Sequence, residues 1–131
     1  MIRRGWRGWT VLGLALVVSL LASPVAGIGL HDEVAWVSFQ NAMKVSDVLL
    51  KGEFLIVHDD DMAAIGAPCL SIYRVREGEI GDLVLSVRCT RVKRTETNRL
   101  KLVTQVLQPG IYDLREIQFP GSPDGHRLQL R

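Results

Sequence analysis

Leu83-Val84-Leu85-Ser86-Val87-Arg88-Cys89-Thr90-Arg91-Val92 carries the clearest strand signal in the chain. By the two-residue period of a strand, Leu83, Leu85, Val87 and Cys89 share one face, and Val84, Ser86, Arg88 and Thr90 share the other. The polar segment Lys93 to Asn98 follows and reads as a turn. Arg99 to Leu107 then reads as a second strand burying Leu100, Leu102 and Val106. The expected hairpin points Cys89 into the core and leaves Arg99 and Lys101 outside. Farther out, runs of the same kind cover Val34 to Gln40, Ala42 to Ser46, Glu53 to His58, Leu70 to Val75, Ile111 to Phe119 and Arg127 to Leu130. Gly52 and Gly110 stand where turns are needed. Strand-length runs spaced about ten residues apart predict an all-β chain, a single antiparallel β-sandwich or small barrel of about seven to eight strands.

The amino terminus follows a different rule. Arg3, Arg4 and Arg7 precede an uncharged, mostly apolar run, Val11 to Ala22, and Val25 with Gly27 offers the small residues signal peptidase accepts. Residues 1–27 are therefore expected to be a secretory signal cleaved near Gly27, leaving residues 28–131 as one domain in the periplasm or cell exterior. The apolar stretch between Arg7 and Pro24 is shorter than the roughly 20 residues of a membrane span, so no stable span is expected after cleavage.

Removing the leader also changes the charge. The full chain has 16 basic and 14 acidic residues; without the three leader arginines the balance is 13 to 14, a net charge of −1. A near-neutral domain has no global field to draw it onto phosphates, which argues against nucleic acid as a partner. Cys69 and Cys89 are the only cysteines. In an oxidising compartment they are expected to form one structural disulfide, since neither CxxC spacing nor a second pair points to redox or zinc chemistry.

Two polar groupings could hold a ligand. His58, Asp59, Asp60 and Asp61 close the apolar run Glu53 to Val57, and His126 follows the Gly- and Pro-containing loop from Gly121 to Gly125. Imidazole with carboxylate suits a divalent metal, which gives His58, Asp59, Asp61 and His126 as candidate ligands. The plainer reading of the aspartates is a helix cap, with one turn over Met62 to Ile65 stopped by Gly66 and Pro68. The second grouping is basic: Arg88, Arg91, Lys93, Arg94, Arg99 and Lys101 could bind an anionic surface. A solvated strand face that resists edge pairing explains the same charges. No aromatic residue interrupts this set, so it lacks the stacking platform of a single-strand nucleic-acid binder. No GxSxG context surrounds any serine, and a domain of this size has little room for a deep substrate cleft.

Val57-His58-Asp59-Asp60, Gly66-Ala67-Pro68-Cys69, Cys89, and Gln118-Phe119-Pro120-Gly121-Ser122 with His126 together resemble a group of short, exported bacterial proteins of unknown function. Members of that group read VHDD, then GxPC, then a strand with a second Cys, then QFxGS before a late His. The resemblance covers most of residues 28–131. It implies an exported domain with paired cysteines and implies no activity. The group often has His directly before the second Cys, where this chain has Arg88.

The sequence thus leads to a non-catalytic binding or structural module acting on an unknown protein or envelope component. The alternative is a small metal-binding protein, with an enzyme as its extension, built on His58, Asp59 or Asp61, and His126.

Overall fold

The computed structural model describes residues 32–129, so the expected leader lies outside the described residues. Eight strands and one short helix follow in order: β1 (Glu33–Val45), β2 (Val48–His58), α1 (Asp60–Ala64), β3 (Leu70–Arg76), β4 (Glu79–Val87), β5 (Cys89–Lys93), β6 (Lys101–Gln108), β7 (Ile111–Gln118) and β8 (Asp124–Leu128). The all-β domain is one curled sheet of strand order β4-β3-β2-β1-β7-β8-β5, with β6 on the free side of β7. All pairings are antiparallel except β1 with β7, where Ala42 to Lys44 runs parallel to Ile111 to Asp113.

The two expected strands Val34 to Gln40 and Ala42 to Ser46 are one strand, β1, with an irregularity in register between Phe39 and Met43. Gly52 lies within β2 opposite Phe39, at the edge of this irregularity, with φ 102°. That backbone value strains any residue with a Cβ. The shift bends β1. Its second half pairs with β7, and β8 pairs with the later part of β7, from Glu116 to Gln118.

The hairpin of Leu83–Val92 with Arg99–Leu107 does not form. The alternating run splits at Arg88 into β4, which pairs with β3, and β5, which pairs with β8. Arg99 to Leu107 supplies β6, which pairs with β7 instead. The real hairpin partner of β4 is β3, joined through Glu77 and Gly78 at φ 53° and 77°. Positive φ at both central residues matches the right-handed twist of the flanking strands. Because β4 and β5 end opposite sides of the strand order and only Arg88 separates them, the sheet must curl until its two edges meet.

Phe39, Val45, Leu50, Phe54, Ile56, Leu70, Ile72, Leu114, Ile117 and Phe119 are among the residues that fill the concave side as one core. Leu55, Val57 and Val75, with Tyr73 against them, form a smaller cluster. Leu83, at the outer edge strand, is 52% exposed and not a core residue as its alternation suggested. Cys69 and Cys89 are joined in a disulfide with Cα atoms 6.2 Å apart, clipping the start of β3 to β5 across the seam. Among the described residues no helix is long and apolar enough to cross a membrane.

Candidate metal centre

The concave face of the sheet is apolar along most of its length and turns polar at the seam. There β2 ends in His58, whose backbone lies opposite Glu33 at the start of β1. His126 lies on β8 opposite Ile117, and the bend in β1 brings Glu33 against it. Glu33 Oε1 stands 3.1 Å from His126 Nε2 and 3.4 Å from His58 Nδ1. The two imidazoles stack with ring centroids 3.6 Å apart, and Phe119 packs 6.3 Å and 6.0 Å from them.

The loop after β2 supplies one more carboxylate. Asp59 Oδ1 accepts from the backbone N–H groups of Asp61 and Met62 at 2.9 Å and 3.1 Å, which starts α1. This is the N-cap geometry, in which a side-chain oxygen replaces the missing helical acceptor. With Asp59 so engaged, the chain turns Asp60 back over the strand end, and its Oδ1 lies 3.3 Å from His58 Nδ1. His58, Asp60, Cys89, Arg91 and His126 line a recess of about 400 Å³ at this place.

Both histidines are 1% exposed, and three of their four ring nitrogens, His58 Nδ1 and Nε2 and His126 Nδ1, make no hydrogen bond. Buried polar atoms are normally satisfied, and leaving one unpaired costs about 1–3 kcal/mol. Burial, and then the neighbouring His126, push the His58 pKa from 6.5 down to about 4, against the opposing pull of Asp60. At neutral pH His58 is therefore an uncharged imidazole with a free lone pair, the form that ligates metals.

Glu33, His58 and His126 place one donor atom each within 4.8 Å of one another. Two imidazoles and a carboxylate suit a first-row divalent cation. A cation lies in the plane of each imidazole it binds, whereas these rings are tilted by only 22°. Binding therefore requires at least one ring to turn about its Cβ–Cγ bond, into the adjoining recess. Arg91 lines the same recess and opposes a cation there, but its guanidinium also lies 3.6 Å from Asp124. The carboxylates of Glu33, Asp60 and Asp124 outnumber it. His58 also belongs to a second grouping: one of its ring nitrogens lies within 4.8 Å of both Cys69 Sγ and Cys89 Sγ.

Of the ligands expected from sequence, the fold brings His58 and His126 together and leaves Asp59 and Asp61 out of the donor group, Asp59 as helix cap. Glu33 and Asp60 take their place beside the imidazoles. The VHDD run contains Asp60, so its local signal was present. Glu33 is 25 positions from His58 and is found only once the β1–β2 register is known.

The basic residues do not form one hairpin face, because β5 and β6 lie on opposite sides of the β7–β8 pair. Lys93, Arg94 and Lys101 line a recess of about 500 Å³ beside Gln118, while Arg88 lines a different one near Ser46 and Gln129. Arg94 is held by Glu116 in a two-pronged ion pair at 2.9 Å and 2.8 Å. The hydrogen bonds from Arg94 hold the Glu116 carboxyl below the usual carboxylate range. That guanidinium is committed to the fold, and the expected basic patch loses one of its members. No protein-family model, curated protein sequence or solved structure matches the chain.

Proposed function

We propose that this is an exported, non-catalytic binding module whose ligand is a divalent first-row transition-metal cation, held by Glu33, His58 and His126. The observation that carries the reading is the convergence of two buried imidazoles on Glu33, through His126 Nε2 and His58 Nδ1, while three of the four ring nitrogens have no hydrogen bond. A purely structural histidine pair would satisfy its nitrogens with backbone or side-chain groups. Here stability is given up at a place where ligand lone pairs converge. Asp60 supplies a fourth donor, an oxygen, at the edge of the recess, and four protein ligands close a tetrahedral site, which favours holding a cation over activating a substrate. The disulfide supports the extracytoplasmic setting.

Thermal unfolding with Zn²⁺ and with chelator tests this. A cation bound only by the folded state at a free concentration of 100 Kd adds about 2.7 kcal/mol. For a domain near 100 residues that is a rise in Tm of roughly 10 °C or more. Glu33→Gln should remove most of the shift and leave the metal-free Tm within a few degrees. An identical Tm with Zn²⁺, with chelator and in Glu33→Gln would refute the reading.

A further inference from the structure

We infer that the Cys69–Cys89 disulfide is the closed, oxidised form of a second and softer metal site that shares His58 with the first. Reduction would supply two thiolates beside His58 and change the class of cation the domain prefers. This rests on the reading of His58 as a ligand given above.

The starting observation is the second donor group: His58, Cys69 and Cys89 place one ligand atom each within 4.8 Å of one another. A staple needs only its two sulfurs. A buried imidazole with neither nitrogen hydrogen-bonded adds nothing to it. The same three side chains are, after reduction, a thiolate and imidazole set of the kind that holds zinc or monovalent copper. His126, stacked at 3.6 Å on His58, stands next to them as the fourth donor.

The two sulfurs do not depend on their mutual bond for their positions. Cys69 N–H donates to the Val87 carbonyl at 3.1 Å, and the Cys69 carbonyl accepts from Asp59 N–H at 2.8 Å. Cys89 is in register with Leu128 of β8, and Gln129 N–H donates to the Arg88 carbonyl at 2.9 Å. Backbone bonds on both sides of the seam therefore keep the thiols near each other once the S–S bond is cut. Access is unequal. Cys69 is 1% exposed, whereas Cys89 lines the recess beside His58.

The chemistry balances with a dithiol as reductant. One donor thiolate attacks a disulfide sulfur, preferentially the more accessible Cys89 Sγ, and Cys69 leaves as thiolate. The second donor thiol then resolves the mixed disulfide, so the donor becomes a disulfide and both cysteines are left reduced. Two electrons and two protons pass from donor to domain. Cation binding then displaces the two thiol protons.

The test uses the full chain, oxidised or reduced with a phosphine that is then removed without air, titrated with Co²⁺ alone. The reduced chain should develop a thiolate-to-cobalt charge-transfer band saturating at one Co²⁺ per chain, absent from the oxidised chain, and should bind at least tenfold more tightly. His58→Ala should weaken binding to the reduced chain at least tenfold. Cys69→Ser with Cys89→Ser should abolish the band. The comparison of oxidised and reduced wild type needs no substitution, so a poorly folded serine variant does not remove the test. Cobalt uptake by the reduced chain without the band, or with affinity indifferent to His58→Ala, overturns the inference. Zn²⁺ binding by the oxidised chain, and its loss in Glu33→Gln, reports separately on the first site.

Discussion

His58 is the residue at which fold and ligand pull in different directions. It ends β2 at 1% exposure, surrounded by His126, Phe119, Glu33 and Asp60, and neither of its nitrogens is hydrogen-bonded. Leu has nearly the same volume and no polar atom to desolvate. His58→Leu should therefore leave the metal-free domain as stable as before or up to about 1 kcal/mol more stable, while abolishing its response to Zn²⁺. A loss above about 2 kcal/mol in urea unfolding would mark His58 as a structural residue. The same burial sets a pH dependence for the metal-free chain. The folded pKa of about 4 lies below the ordinary 6.5, so the unfolded state binds the proton first. Stability is then full above pH 6.5 and declines as pH falls from 6.5 towards 4, by at most about 3 kcal/mol. In His58→Leu that segment of the pH–stability curve should flatten.

At the scale of elements, β8 corrects the reading of Gly121 to Gly125 as a loop throughout. Gly125 belongs to the strand and pairs with Gln118 and Val92. A Cβ there would lie 2.6 Å from Glu116 Oε2 and 3.2 Å from Arg94 Cγ. The glycine is present for space, because the Arg94–Glu116 ion pair crosses directly over its backbone. Gly125→Ala should displace that pair and cost about 1–3 kcal/mol, visible as a lower denaturant midpoint with an unchanged slope. It should also shift the neighbouring His126 and weaken Zn²⁺ binding. The strand content was legible in the sequence because period-two alternation and turn residues are local signals. The pairing was not. The alternation from Leu83 to Val92 runs unbroken through Arg88, although the chain there leaves one edge of the sheet and joins the other. For the same reason the His58 and His126 side chains were legible as candidates, whereas Glu33 required knowledge of register. A cap among the aspartates was readable from their place before Met62, Ala63 and Ala64, whereas the structure is needed to assign it to Asp59.

For the whole molecule, the decisive contact is the meeting of the two sheet edges at Val87, Arg88 and Cys89. The disulfide reinforces a seam whose two sides are each held by backbone hydrogen bonds and joined by the chain through Arg88, so its contribution falls mainly on the unfolded chain. Cross-linking positions separated by 20 residues removes loop-closure entropy worth about 3 kcal/mol. A domain of this size has a total stability on the order of 5–15 kcal/mol. Reduction should therefore lower the urea midpoint without unfolding the protein in buffer. The m-value should rise, because the reduced unfolded chain is less compact and exposes more surface. Cooperative unfolding monitored by far-ultraviolet circular dichroism, with and without phosphine, measures both quantities. A reduced chain that shows no cooperative transition would mean that the S–S bond alone holds the curled sheet together at its seam, and the thiols would then have no fixed geometry in which to meet a cation. A folded reduced chain with a larger m-value leaves the seam shut and the two thiols beside His58, which is the condition the softer metal site requires.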